Sequence, residues 1–326
     1  MDTRRVLKPV VIIAVALLVE FWLLGTQQLA NALTLGAIYA LIALGYTMVY
    51  GIVELINFAH GDVFMVGSFL AMWIMTTFFH LTGPMTNLLN LVVVLAIVMF
   101  ATMVGMGLIG YFIERVAYRP LRNAPRLAPL ITAIGVSFIL QNIIASLFGP
   151  SPVNFPQVVP ADKFELLGAK VAYLNLFILV LAILLMIALQ LFIGRTRLGR
   201  AMRSTAQDRE AAELMGVDIN LTIAITFFIA AALAGAGGMV QGLYAGSIQF
   251  NLGFYVGLKA FTAAVLGGIG NTTGAAIGGF VIAFAEVYAT VLNLTRWSEV
   301  AVFGLLILVL VFRPSGLLGQ QIGERA

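Results

Sequence analysis

Glu54, Asn57, His60 and Asp62 fall within nine residues, between two long apolar runs. Two carboxylates, an imidazole and a carboxamide at that spacing could move protons, or line a polar path if the segment reaches membrane depth. The cluster lacks the nucleophile or metal set that an intramembrane enzyme built on His60, Asp62 and Glu54 would need. The plainer alternative is an aqueous turn with Asp62 capping the helix that follows. Asn57, followed by Phe58-Ala59, could still be re-entrant and line a path. Gln141, Asn142 and Glu286 are further polar groups inside apolar runs. Glu286 requires a partner such as Lys259 or a water-filled cavity, whereas Gln and Asn more often bond one helix to another.

Other chemistry is disfavoured by what the chain lacks. It has no Cys and two His, His60 and His80, so thiol nucleophiles, disulfides and multi-His metal sites drop out. No G-x-x-x-x-G-K-[ST], H-E-x-x-H or G-x-S-x-G occurs, which disfavours ATP hydrolysis by a P-loop, zinc proteolysis and a nucleophile elbow. The reading implies no cofactor. Any uphill work must draw on an ion gradient or a partner.

The elements that must position these groups are membrane spans. Of 326 residues, 61% are hydrophobic and 10% charged, where a soluble domain carries about 25% charged residues. Apolar runs near the ~20 residues that cross hydrocarbon recur along the whole chain, giving an all-α, polytopic transmembrane bundle. The net charge of +4 is no nucleic-acid footprint, because the basic residues flank the spans.

In chain order, Arg4, Arg5 and Lys8 precede the run Val10–Leu24, and Ala30-Asn31-Ala32 offers a signal-peptidase site. Glu20 and the span that follows at once favour an uncleaved first helix. The second span, about Leu29–Val53, carries Ala32, Gly36, Ala37, Ala40, Ala43, Gly45 and Gly51, which suits a central, closely packed helix. Further runs are Val63–Phe79, Leu88–Ile113, Leu130–Phe148, Tyr173–Ile193, Leu221–Tyr244, Ala275–Leu292 and Val300–Phe312. Residues 149–171, with four prolines, read as a loop. Residues 253–279 read either as a span, a tight turn and the start of another, or as two half-helices. Their glycines would serve close packing, or expose helix amides to an anionic group. About ten hydrophobic segments result, or eight full spans plus broken ones, in one transmembrane domain over 1–326.

Orientation follows from Lys and Arg. With the N-terminus inside, fourteen of eighteen fall in cytoplasmic segments, including those at 115–126, 195–209, Arg313 and Arg325. Both termini and the loop 194–220 are then cytoplasmic, and the loop 149–171 lies outside.

That cytoplasmic loop holds nine of the 32 charged residues. Ser204 and Gln207 have the spacing of a capping box, and Gly216 stands where a left-handed stop would fall. The pattern predicts a short amphipathic helix at about Thr205–Met215, apolar through Ala211, Ala212, Leu214 and Met215 and polar through Arg209, Glu210 and Glu213. It is either a solvated connector or a surface offered to a soluble partner.

Several stretches carry a resemblance. Glu210-Ala211-Ala212 with Gly216 four residues on is similar to the EAA-x-x-x-G signature of ABC-importer membrane subunits. Four other stretches resemble the branched-chain amino-acid permease family: Thr34–Leu41, TLGAIYAL; Gly45–Gly51, GYTMVYG, leading to Ile56–Gly61, INFAHG; Glu114–Pro120, ERVAYRP; and Phe261–Gly270, FTAAVLGGIG. They span nearly the whole chain in order and match the first of two homologous permeases.

The resemblance implies a passive translocation subunit for Leu, Ile or Val in a bacterial or archaeal cell (inner) membrane. Its partners would be a second homologous permease, two cytoplasmic ATP-binding subunits and an extracytoplasmic substrate-binding protein. Coupling would fall to Arg200, Arg209, Glu210, Ala211, Ala212 and Gly216. Path candidates from the residues themselves are Asn57, His60, Gln141, Asn142 and Glu286. Relatives that carry urea or short-chain amides tend to have a longer N-terminal region, so amino acid is favoured. An ion-coupled secondary carrier is the alternative from another transport class.

Overall fold

The computed structural model describes residues 3–53, 57–81, 83–122, 124–125, 127–166 and 169–319. Glu54, Arg126, Arg325 and the side chains of residues 3–24, all used in the sequence reading, lie outside that description.

The first helix, α1 (Thr3–Val53), is broken at Gly25, whose φ of 75° and ψ of 164° are not helical. α2 (His60–Thr77) and α3 (Leu88–Ile113) follow, and α3 runs on through one π turn, Glu114–Tyr118, and one 3-10 turn, Arg119–Leu121. Pro120 has no N–H to offer the helical ladder, which suits a helix ending there. α4 (Leu127–Phe148) leads into a region that prolines mark as a loop but that contains β1 (Val153–Asn154), β2 (Lys163–Leu166) and β3 (Ala169–Ala172). Then come α5 (Tyr173–Arg195), α6 (Arg197–Gln207), α7 (Arg209–Leu214) and α8 (Ile219–Ala245). β4 (Ser247–Ile248) precedes α9 (Leu252–Gly267), α10 (Thr272–Val291) and α11 (Ser298–Phe312).

Among the described residues, seven helices are long and apolar enough to cross a membrane, with α9 a shorter apolar helix. The protein is a multi-pass helical membrane bundle. α3, α4, α5 and α11 expose Phe100, Phe112, Ile131, Leu184 and Ile307, side chains that water would not tolerate in such number but lipid accepts.

The small-residue helices are the buried ones. Residues 32–49 of α1 and most of α8 are enclosed by α2, α3, α9 and α10. Gly235 and Gly238 let α8 approach α2 backbone to backbone; a methyl at 238 would overlap the Phe64 carbonyl and the Ser68 amide. Overpacking of this kind costs about 1–3 kcal/mol. Gly238→Val should therefore lower the midpoint of heat unfolding in detergent, followed by intrinsic fluorescence, and an unchanged midpoint would refute this contact.

Residues 253–279 fall in α9, a tight turn and the first part of α10, packed as a hairpin in which α9 is shorter than the spans. Gly267 lies on Gly274, Gly278 on the Ala263 carbonyl and Gly279 on Ala40 of α1, so close packing explains the glycine cluster. At one end of the bundle β1 pairs antiparallel with β4, and β2 with β3. At the other end lie α6, α7, the turn after α3 and residues 313–319, where Leu317 and Leu318 donate to the Leu266 and Gly267 carbonyls. This second end carries the basic segments.

Candidate functional site

At the basic end, the predicted single helix is two helices. α6 starts at Arg197, where Thr196 Oγ1 accepts from the Gly199 amide at 3.0 Å. Asp208, extended at φ −157°, ends α6 and caps α7, its Oδ1 accepting from the Ala211 amide at 3.0 Å. The break falls at Asp208, and Ser204 lies inside α6 instead of starting a helix. α7 then ends as the sequence implies. Gly216 has φ +84°, its N–H donates to the Glu213 carbonyl, and the Val217 N–H donates to the Ala212 carbonyl. That pair of bonds is the Schellman arrangement.

α7 is fixed from behind and open in front. Ala212 is buried against the bundle, and Arg209 Nη2 donates to the Ile52 carbonyl at the end of α1 at 2.9 Å. Arg200, Glu210 and Ala211 face solvent, and Leu214 and Met215 are 89% and 84% exposed. Two bare apolar side chains thus stand beside charges at the end of a six-residue helix.

Next to α7 is a cluster the sequence reading missed. Glu114, in the π turn, is fully buried and pairs with Arg122, with Arg119 Nε at 3.6 Å. Arg122 Nη1 also donates to Asn220 Oδ1 at 2.5 Å, and Arg119 Nη2 to the Asn220 carbonyl at 3.4 Å. Burial lowers the proton affinity of the Arg122 guanidinium below the ordinary arginine value, and Glu114 opposes the shift. In the same π turn, the Tyr118 hydroxyl donates to Asn57 Oδ1 at 2.6 Å. One short segment therefore touches both the chain just beyond α7 and the polar hinge.

The hinge itself enters the bundle. Ile52 is at the basic end, yet His60 packs over Gly45, where a Cβ would overlap the imidazole. Gly45 lies eight residues before Val53, so about 12 Å deeper at 1.5 Å per residue. His60 meets the Tyr46 ring edge-on at 4.7 Å, and its Nε2 has no hydrogen-bond partner among the described residues. Asn57 is buried and lines a narrow crevice with Tyr46, Thr47, Tyr50 and Phe261.

Asp62 does not cap α2. Ala59 holds the cap position without a side-chain bond, and Asp62 sits in the first turn with its carboxylate turned to α4. There it accepts from Ser137 Oγ at 2.5 Å and Gln141 Nε2 at 2.9 Å. Ser137 and Gln141 also line a cavity of about 480 Å³ between α4 and α9. Its remaining wall includes Tyr46, Phe58, Ile134, Phe138, Phe254 and Leu258.

Of the five path candidates, the structure brings Asn57, His60 and Gln141 into one neighbourhood around Tyr46 and leaves two elsewhere. Asn142 Nδ2 donates back to the Phe138 carbonyl of its own helix at 2.8 Å and is exposed. Glu286 binds Lys259 Nζ at 2.6 Å and the Tyr39 hydroxyl at 2.7 Å, joining α10 to α9 and α1. Ser137, Tyr46 and the aromatic pair Phe254-Tyr255 were missed, since single Ser or aromatic residues in apolar helices give no local signal.

A multi-pass helical bundle with a partly open cavity between two of its helices is compatible with a membrane permease. The chain belongs to the family described as branched-chain amino acid transport system / permease component, whose pattern matches residues 28–311. The high-affinity branched-chain amino acid transport system permease protein BraD of Pseudomonas aeruginosa is 44% identical over 304 residues, covering 92% of this chain and 97% of that one. LivH of Escherichia coli K12, named for the same transport system, is 42% identical over 94% of this chain and 99% of its own. A more distant relative, the autoinducer 2 import system permease protein LsrC of Yersinia enterocolitica, is 27% identical over 66% of this chain and 59% of its own. No solved structure matches. The family is one of transport permeases, not enzymes.

Proposed function

We propose that this chain is the passive translocation subunit of an ATP-driven importer for Leu, Ile and Val, in the inner (cell) membrane of its host. The observation that carries the reading is α7, braced against the bundle through Arg209 and Ala212 while Leu214 and Met215 stay bare. A cytoplasmic ATP-binding subunit is the partner such a helix fits. The relatives at 41–44% identity are named for high-affinity branched-chain amino acid transport, which favours that cargo over urea or amides.

Two ATP-binding subunits, a second homologous permease and an extracytoplasmic binding protein complete the assembly, with 1–326 acting as one transmembrane domain. The basic end is cytoplasmic, as the excess of Arg there favours. Docking at Arg200, Arg209, Glu210, Ala211, Ala212 and Gly216 would pull on Ile52 and Asn220. Through Glu114, Arg122 and Tyr118 that pull reaches Asn57.

Pulldown from the native membrane in mild detergent, followed by mass spectrometry, tests the partners. The expected result is recovery of a P-loop ATPase and a second permease. Recovery of the chain alone, moving solute under an ion gradient, would replace this reading with a secondary carrier.

A further inference from the structure

Three acidic side chains of the described residues are turned into the bundle, and they are not alike. Glu114 has Arg122 and Arg119, and Glu286 has Lys259. Asp62 has no cation within ion-pair distance among the described residues, although it is only 1% exposed. Its partners are a hydroxyl and an amide, both neutral. Buried charges are ordinarily paired, so an isolated carboxylate at this depth lacks a counter-charge.

The place of Asp62 says what would supply one. Ser137 and Gln141, the residues bound to it, stand between it and the 480 Å³ cavity. Gln141 commits its Nε2 to Asp62 and Ser137, which leaves its Oε1 as the free acceptor at the wall. The Ser137 hydroxyl proton is likewise committed to Asp62, so its oxygen can only accept from a further group. Beside these acceptors the wall is mostly aliphatic and aromatic, with Phe58, Ile134, Phe138, Phe254 and Leu258, and Asn251, Tyr46 and Tyr255 add further polar groups. One patch of acceptors backed by a negative charge, next to an apolar surface, matches an ammonium group one or two bonds from an aliphatic tail.

The geometry points to this cavity as the site where the passing amino acid is read, its α-ammonium held by Gln141 Oε1 and Ser137 Oγ. Asp62 is the positioning residue that orients both acceptors and balances the charge. This rests on the importer reading above and names the part of the path that selects an amine over other small solutes. An aliphatic acid of equal size leaves both the acceptors and Asp62 uncompensated, and an amide can satisfy the acceptors but brings no charge to balance Asp62.

The test uses the assembled importer in liposomes, with a diazirine analogue of leucine photolysed during turnover and the label mapped by mass spectrometry. In the unmodified complex, label should fall on peptides carrying Ile134–Gln141 and Asn251–Leu258. Asp62→Asn, nearly isosteric, should reduce that label and leucine uptake about tenfold or more, as loss of a charge-backed hydrogen bond implies. Subunit recovery should stay the same. Gln141→Leu, at a half-buried wall position that tolerates a change, should act in the same direction if Asp62→Asn fails to assemble. Unchanged label and uptake in these variants, or label confined to other helices, overturns the site and leaves the importer reading intact. Absence of ATP-driven leucine uptake by the unmodified complex overturns both.

Discussion

Proline at position 216 should abolish ATP-driven uptake and recovery of the ATPase while leaving the membrane bundle folded. Gly216 sits at φ +84°, and proline is held near −65°. Proline also removes the N–H that donates to the Glu213 carbonyl at 2.9 Å, so the Schellman closure of α7 cannot form. α7 would leave its seat on Ala212 and Arg209, and Leu214 and Met215 would no longer be presented together. The membrane helices need not change, because a methyl at 216 meets no neighbour within 4 Å. Gly216→Asn is the control, since Asn enters the left-handed region more readily than other residues and keeps the N–H. Glu210→Lys, which reverses an exposed charge on the same helix, should weaken docking without moving the backbone. Normal recovery of the ATPase with both Gly216→Pro and Glu210→Lys would remove α7 from the coupling account.

The second large effect belongs to Lys259 and Glu286. Lys259→Met leaves the Glu286 carboxylate with the Tyr39 hydroxyl alone; removing one partner of a fully buried pair costs about 3–5 kcal/mol, an upper bound for this partly buried one. The variant should unfold at distinctly lower temperature and lose uptake by losing protein. Glu286→Lys should be worse, since it sets two ammonium groups side by side. The double variant Lys259→Met, Glu286→Leu replaces the pair by apolar groups and should recover most of the stability and uptake. Recovery marks the pair as a fastener of α9, α10 and α1. Uptake that stays lost in a stable double variant would return Glu286 to the path.

The spans were legible because hydropathy and length suffice where every backbone group must be satisfied within the lipid. The small-residue runs in α1 and α8 also told which helices are central. Glycines that mark the family resemblance have visible work: Gly45 admits His60, Gly51 faces Gly270, and Gly61 meets Gly253 and Gly257. What stayed hidden was pairing over long separations. Asp62 reads locally as a cap, and only the approach of α4, more than seventy residues on, makes it the partner of Ser137 and Gln141. Glu114 reads as the polar end of a span, and nothing near it announces that Arg122 and Asn220 enclose it. The break at Asp208 was missed for a different reason: Ser204 and Asp208 are equally good cap residues four positions apart, and local sequence does not choose between them. The resemblance named a coupling role for α7 but no cargo contacts, and the cavity between α4 and α9 came from the fold alone.

The central claim is that this chain provides a path and takes its energy from a docked ATPase. Uptake of leucine into liposomes holding this chain, the second permease and the ATP-binding subunits, with binding protein outside, tests it most directly. The account predicts accumulation that requires lumenal ATP and the binding protein and persists when ionophores collapse sodium and proton gradients. Accumulation by this chain alone under an ion gradient, indifferent to ATP, would contradict it.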